Sequence, residues 1–306
     1  MNHDTDTVVE VSNLTRDFRG TRALDDVSLT IAADSITGLM GRNGAGKTTL
    51  MSLLTAQDFA TSGSIKVFGE DPVENESVLA RTCFIRESQQ YPNNFRVKHV
   101  LAAGASFHAN WDRDLAETLV EEFALPRRRE VAKLSRGMRS ALGILVGLAS
   151  RAPLTIFDEP YLGLDATARQ QFYDTLLKDY AEQPRTIVLS THLIDEVGGL
   201  LENVIVLDQG RVILDGSADE LRSRACVLTG PLDAVESLVS ALPVLHRERF
   251  GGHEAVTIEV RPDAALRSRI AGLGVEIGPV SLQTLVVHAG QGPRRNEGSM
   301  TEGGAR

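Results

Sequence analysis

The stretch Ile36-Thr37-Gly38-Leu39-Met40-Gly41-Arg42-Asn43-Gly44-Ala45-Gly46-Lys47-Thr48-Thr49-Leu50 decides the fold. Its first five residues form a short apolar run of strand length, and Leu50, Leu53 and Leu54 then recur at helical spacing. Between them Gly41 to Thr48 fits the pattern GxxxxGK[ST], in the strand-then-helix setting that the pattern requires. Its glycines let consecutive backbone N–H groups curl around phosphate oxygens, and the N-terminus of the following helix adds a partial positive charge. Lys47 reaches toward the β- and γ-phosphates, and the Thr48 hydroxyl is placed to hold Mg²⁺.

Outward from this loop, apolar alternation at 8–11 and 27–31, around the turn-like Phe18-Arg19-Gly20, predicts an antiparallel strand pair. From about residue 87 to 129 the pattern turns helical, with helices expected over 97–107 and 115–125, the second ended by Pro126. Residues 154–157 and 186–189 are apolar runs too short for helices and read as buried parallel strands, with a helix over 166–180 between them. A hairpin follows at 204–214, turning at Gln209-Gly210-Arg211.

Asp158 and Glu159 close the first of those buried strands and His192 closes the second, so all three emerge at carboxyl ends, where ligands gather in a parallel sheet. Asp158 is placed to orient Mg²⁺ through water and Glu159 to act as general base. The competing reading of the acidic pair is a capping or turn role before Pro160. His192 is a candidate for a γ-phosphate contact, against the ordinary alternative of a satisfied surface or core histidine.

Leu134-Ser135-Arg136-Gly137-Met138 opens a long apolar helix ahead of Asp158. In order, the phosphate loop, helical insertion, LSxG element, Asp158-Glu159-Pro160, Tyr161-Leu162-Gly163-Leu164-Asp165 and Ser190-Thr191-His192 resemble the ATP-binding cassette ATPases over about residues 8–222. These are the nucleotide-binding subunits of ABC transporters. The resemblance implies an α/β, P-loop (RecA-like) core with an antiparallel β subdomain and a helical insertion over about 87–150. It implies ATP and Mg²⁺ as ligands and ATP hydrolysis as the reaction, with Glu159, His192 and Lys47 in catalytic roles. Phe18 falls where the family stacks an aromatic on adenine, although an ordinary core phenylalanine reads equally well. Ser135 and Gly137 match signature groups that contact the γ-phosphate held by an opposing subunit, and Asp165 matches an aspartate that crosses the dimer interface. Such a site is completed only by a second cassette subunit, in a homodimer or a heterodimer.

Three positions depart from the family pattern. Arg136 stands where glycine is usual and Met138 where glutamine is frequent. Glu87 falls at the position of the glutamine that senses Mg²⁺, making its carboxylate a candidate for the metal or the attacking water, with Gln89 and Gln90 as rival assignments. Tyr161 follows Pro160 where smaller or differently shaped residues are frequent, and no mechanism attaches to it from sequence. Arg127-Arg128-Arg129 reads as a solvated charged loop, with docking to a membrane subunit or anionic lipid as the alternative. Trp111 and Tyr91 are candidates either for a groove that accepts a membrane subunit or for satellite core.

After about residue 223, patches at 226–229, 234–242, 256–260, 264–273 and 285–288 alternate between strand-like and helix-like, as in a small α+β domain. Residues 291–306 lack apolar side chains apart from Met300 and Ala305 and are expected to be disordered. The balance of 41 acidic against 32 basic residues, net -9, argues against nucleic acid as a partner. Cys83 and Cys226, far apart and beside apolar neighbours, read as inert core residues. No apolar stretch approaches the roughly 20 residues of a membrane span, and the N-terminus has no signal-peptide pattern. The expected location is cytoplasmic, held at the inner face of the membrane by separate transmembrane permease subunits. The appendage resembles, weakly, the C-terminal segment of drug or lipid exporter ATPases, which favours export. A soluble cassette ATPase working on ribosomes, DNA or a protein assembly is the alternative. A P-loop kinase is disfavoured because it has no use for the LSxG element.

Overall fold

The computed structural model describes residues 7–87, 89–240 and 242–289, and the expected C-terminal disorder at 291–306 lies outside them. The chain divides into two compact units, one ending at Leu221 and the other beginning at Arg222.

In the first unit, β1 (Thr7–Phe18) and β2 (Thr21–Ala32) form the expected hairpin, and β4 (Ser62–Val67) adds to the free edge of β1. The main sheet has the order β5-β6-β7-β3-β8-β9, where β5 is Thr82–Ile85, β6 Leu154–Asp158, β7 Thr186–Thr191, β3 Ile36–Met40, β8 Asn203–Asp208 and β9 Arg211–Ser217. All pairings are parallel except the β8–β9 hairpin. Every residue of β3, β6 and β7 is buried, as sequences apolar on both faces require. Val9, Val11, Leu14 and Leu29 of the antiparallel sheet share one core with Leu39, Ile156 and Val188 of the main sheet. Leu50, Leu53 and Leu54 of α1 (Lys47–Leu54) belong to the same core, which locks the start of α1 at the end of β3.

The helical insertion contains α3 (Val97–Phe107), α4 (Arg113–Glu122) and α5 (Arg136–Ala149); a short α2 (Glu76–Ala80) precedes it. α4 ends three residues before the predicted limit because Ala124 turns into the left-handed region, φ +48°, ahead of Pro126. α5 buries every residue from Ala141 to Ala149 and packs on β5 and β6. α6 (Ala166–Glu182) covers β6, with Phe172 edge-on to Phe157 at 5.8 Å, and two short helices follow in the chain, α7 (Ile194–Val197) after β7 and α8 (Ala218–Ser223) after β9. Trp111, partly buried, packs its ring on Gly104 of α3. Arg127 to Arg129 are exposed, Arg127 pairing with Glu117, as a solvated loop.

The second unit runs β10 (Cys226–Pro231), α9 (Leu232–Val239), β11 (Val244–Phe250), β12 (His253–Ile258), α10 (Ala264–Ile270), β13 (Glu276–Gly278) and α11 (Leu282–Ala289). Its antiparallel sheet, in the order β11-β12-β10-β13, has the β-α-β-β-α-β ferredoxin-like connectivity. Leu228, Val256 and Ile258 meet Val235 and Leu238 of α9 and Leu266 and Ile270 of α10 in a single core. The patch at 285–288, strand-like in the predicted alternation, is helical instead: Leu282 and Leu285 are buried one turn apart.

Candidate active site

The loop after β3 owes its path to glycines that tolerate no substitution. At Gly46, which precedes the first residue of α1, φ is +106° and a Cβ would lie 2.6 Å from the Ala23 carbonyl oxygen. At Gly41, φ is +145° and a Cβ would lie 2.3 Å from the Leu207 carbonyl oxygen. The loop is thereby pressed against β2 and β8, leaving the first backbone N–H groups of α1 without intrahelical partners. Lys47, 7% exposed, curls back so that its ammonium donates to the Gly41 carbonyl at 2.7 Å.

The parallel pairing of β3, β7 and β6 brings the remaining groups alongside. Thr48 donates to Asp158 Oδ2 at 2.8 Å. Asp158 lies opposite Ser190 in the β6–β7 register, and the Ser190 hydroxyl donates to Asp158 Oδ1 at 2.8 Å while accepting the Glu159 N–H at 3.1 Å. Thr48 and Asp158 are a two-member oxygen set of the hard kind that suits Mg²⁺, which takes few protein ligands and fills its shell with water and phosphate oxygens. Among the described residues no group of three or more His, Cys, Asp or Glu side chains converges as a metal cage. Glu87 does not join Thr48 and Asp158: its carboxylate is held by Arg136 at 2.8 Å, so a free metal-directed carboxylate is not what the structure has there. Glu87, Gln89 and Gln90 do share a cavity of about 360 Å³ with Glu159.

Glu159 is buried and sits in the left-handed region at φ +48°, a conformation that costs a non-glycine residue about 1 kcal/mol or more. Its two oxygens have different surroundings. Oε2 receives the Tyr161 hydroxyl and lies 2.7 Å from His192 Nδ1. Oε1 is buried with no hydrogen-bond partner among the described residues, 3.8 Å from the Lys47 ammonium. Tyr161 is 2% exposed; burial first, and then the Glu159 carboxylate beside it, push its hydroxyl far above the ordinary phenolic range, so it stays protonated and donates. His192 is half exposed, its ring edge-on to Tyr161 at 5.8 Å.

The remaining predicted residues lie apart from this cluster. Phe18 is 42% exposed, with the Arg16 guanidinium 4.3 Å above its ring, which excludes the reading as a core phenylalanine. Ser135 caps α5, its hydroxyl accepting the Met138 N–H at 3.2 Å, and Asp165 caps α6 through the Ala168 N–H at 2.8 Å. Gly137 approaches Gly163 so closely that a Cβ would lie 2.6 Å from its carbonyl oxygen. Ser135, Gly137 and Asp165 line one exposed concavity of about 630 Å³. Among the described residues no hydrogen bond or ion pair joins Ser135, Gly137 or Asp165 to the phosphate loop. Sequence reasoning missed Ser190 and Thr191, although both stand in the triplet that pointed to His192, and left Tyr161 without a role.

A family model for ABC transporters matches residues 24–162. The daunorubicin/doxorubicin resistance ATP-binding protein DrrA of Streptomyces peucetius is 31% identical over 231 residues, covering 73% of this chain and 69% of DrrA. The bacitracin transport ATP-binding protein BcrA of Enterococcus faecalis is 29% identical over 220 residues, 71% of each. Among solved structures, an ATP-binding subunit of an ABC transporter matches at TM-score 0.64 and 26% identity, covering 71% of this chain and 92% of its own. With relatives this similar over more than two thirds of their length, and with the phosphate loop and Asp158 brought together as that fold requires, the chain belongs to the ATP-binding subunits of ABC transporters.

Proposed function

We propose that the chain hydrolyses ATP and that two such cassettes closing on two ATP molecules drive export through separate membrane subunits. The observation that carries the hydrolytic reading is Glu159 Oε1, a buried carboxylate oxygen without a hydrogen-bond partner beside Lys47 and the Thr48–Asp158 pair. Leaving a buried charged acceptor unpaired costs about 1–3 kcal/mol or more, and a water on Oε1 would recover it. The loop at 41–49 binds the phosphates through its N–H groups, and Lys47 takes the β- and γ-phosphate oxygens. Thr48 and Asp158 would hold Mg²⁺, directly or through water, and the ion when bound would supply neutralisation of phosphate charge. Glu159 Oε1 accepts a proton from water as the water oxygen attacks the γ-phosphorus; the bond to the bridging oxygen breaks, and ADP and phosphate leave. His192, hydrogen-bonded through Nδ1 to the same carboxylate, presents its exposed edge toward the γ-phosphate.

Closure rests on the exposed N-terminus of α5: Ser135 and Gly137 offer N–H groups to a phosphate bound by the opposing subunit, and Phe18 offers an exposed ring to adenine. Export and membrane partners rest on the likeness to DrrA and BcrA and on the described residues, among which no helix is long and apolar enough to cross a membrane. The test is Glu159→Gln. Hydrolysis falls at least about 100-fold while ATP still binds and an ATP-dependent dimer accumulates on size exclusion; normal turnover removes Glu159 from its role. Co-purification with a polytopic membrane protein in detergent supports transport, and recovery with ribosomes or DNA overturns it.

A further inference from the structure

We propose that Tyr161 is a positioning residue for ATP hydrolysis, acting through the Glu159 carboxylate. The inference rests on the reading of Glu159 as general base and extends it to a side chain that touches no nucleotide in that reading. Tyr161 is among the largest side chains buried in the first unit, and its hydroxyl is fully engaged beyond the ends of β6 and β7. The hydroxyl donates to Glu159 Oε2, accepts the backbone N–H of His192 at 3.1 Å, and lies 3.0 Å from Thr191 Oγ1 and 3.2 Å from His192 Nδ1.

This arrangement assigns the two carboxylate oxygens different tasks. With Oε2 taken by the Tyr161 O–H and the His192 ring, rotation about the terminal carboxylate bond is stopped, and Oε1 alone remains for water. A glutamate in the left-handed region has no helix or strand ladder to fix its side chain, so the fixing has to come from such contacts. Tyr161 supplies them from two positions along the chain, through a rigid ring that Pro160 and burial hold still. His192 arrives from β7, 31 positions from Tyr161, and is tied to the same hydroxyl through its backbone. One phenol thus registers the base that follows β6 to the histidine that follows β7. A phenylalanine would fill the same space and leave Oε2 free to turn.

The test compares Tyr161→Phe, Glu159→Gln, His192→Ala and the Tyr161→Phe/His192→Ala pair in the full chain, measuring ATP hydrolysis, ATP affinity and thermal unfolding. Tyr161→Phe is expected to lower kcat about tenfold, the effect of one charge-assisted hydrogen bond, with KM and the unfolding temperature unchanged. In the His192→Ala background the further loss from Tyr161→Phe shrinks to less than about twofold, because residues acting as one unit are not additive. A hydroxyl that serves stability alone lowers the unfolding temperature and slows turnover by the same factor in both backgrounds, and that result overturns the proposal. Wild-type turnover in Tyr161→Phe alongside a dead Glu159→Gln overturns it while sparing the role of Glu159. A fully active Glu159→Gln brings down both.

Discussion

Asp179→Ala tests whether the helical insertion is anchored by buried charge. Asp179, on α6, is 2% exposed and receives two guanidinium groups, Arg151 at 2.8 Å on Oδ1 and Arg185 at 2.7 Å on Oδ2. Arg151, in the loop after α5, also grips Asp112 through two nitrogens at 2.8 and 3.1 Å, and Asp112 caps α4 by accepting the Leu115 N–H at 2.8 Å. Removing Asp179 leaves Arg151 its second carboxylate. Arg185, with a side chain 6% exposed, keeps only a marginal contact to the Gln183 carbonyl at 3.5 Å. A buried charge stranded in this way costs about 3–5 kcal/mol.

In a unit of roughly 200 residues each kcal/mol moves the unfolding temperature by about 2–4 °C, so Asp179→Ala is expected to lower the transition of the first unit by about 6–20 °C. Differential scanning calorimetry of the full chain reads it. Asp179→Leu with Arg185→Met recovers most of the loss, because well-packed apolar groups replace a buried ion pair at little net cost. A drop below about 3 °C, or a double variant as unstable as the single one, refutes the reasoning. None of the four side chains hydrogen-bonds the phosphate loop, so ATP affinity below the transition stays at the wild-type value.

Two further outcomes follow from the site and from the cysteines. Lys47→Ala removes the buried ammonium that the proposed mechanism assigns to the phosphates, and ATP affinity by calorimetric titration is expected to fall about 10-fold to 100-fold, as one or two charge-assisted hydrogen bonds imply; unchanged affinity rejects the phosphate-loop assignment. Burial pushes the Cys83 thiol up to about 11 and raises that of Cys226, so at pH 8 both stay protonated and a thiol reagent titrates neither until the chain is unfolded. Because the folded Cys83 holds its proton above the ordinary value of 9.0, its contribution to stability is complete below that pH and is lost as pH climbs toward 11.

What was legible in the sequence is what a short window carries. The run from Ile36 to Leu50 shows its strand, loop and helix within fifteen residues, and Leu134 to Met138 shows a helix start. The Tyr161 hydroxyl was illegible for the opposite reason: its partners Thr191 and His192 lie 30 and 31 positions away and meet it only because β6 and β7 are adjacent and parallel. Ser190 is similar, since its bonds to Asp158 and the Glu159 N–H follow from the cross-strand register and not from any local pattern. The ion pair of Glu87 was illegible because alignment along the chain carried no information about Arg136, whose side chain lies over Gly163 and reaches back to the carboxylate.

The strands that escaped notice share a physical cause as well. β4 reads Ser-Gly-Ser-Ile-Lys-Val and buries only its last residue, and β11 reads Val-Leu-His-Arg-Glu-Arg-Phe with its last five residues exposed. Both lie at sheet edges, where one side has no neighbour and polar or charged side chains discourage pairing with other chains, so the apolar alternation that marks an interior strand is absent. Buried charge extends the same logic to the second unit. Glu254, wholly buried in β12, faces Arg247 at 3.4 Å and Arg249 at 3.1 Å across the pairing with β11, so the polar face of that edge strand neutralises a carboxylate its neighbour has taken inside. An edge strand written in arginine and glutamate is therefore as strongly specified as an apolar one, but by a partner six or so positions away across a hairpin instead of by the alternation of its own residues.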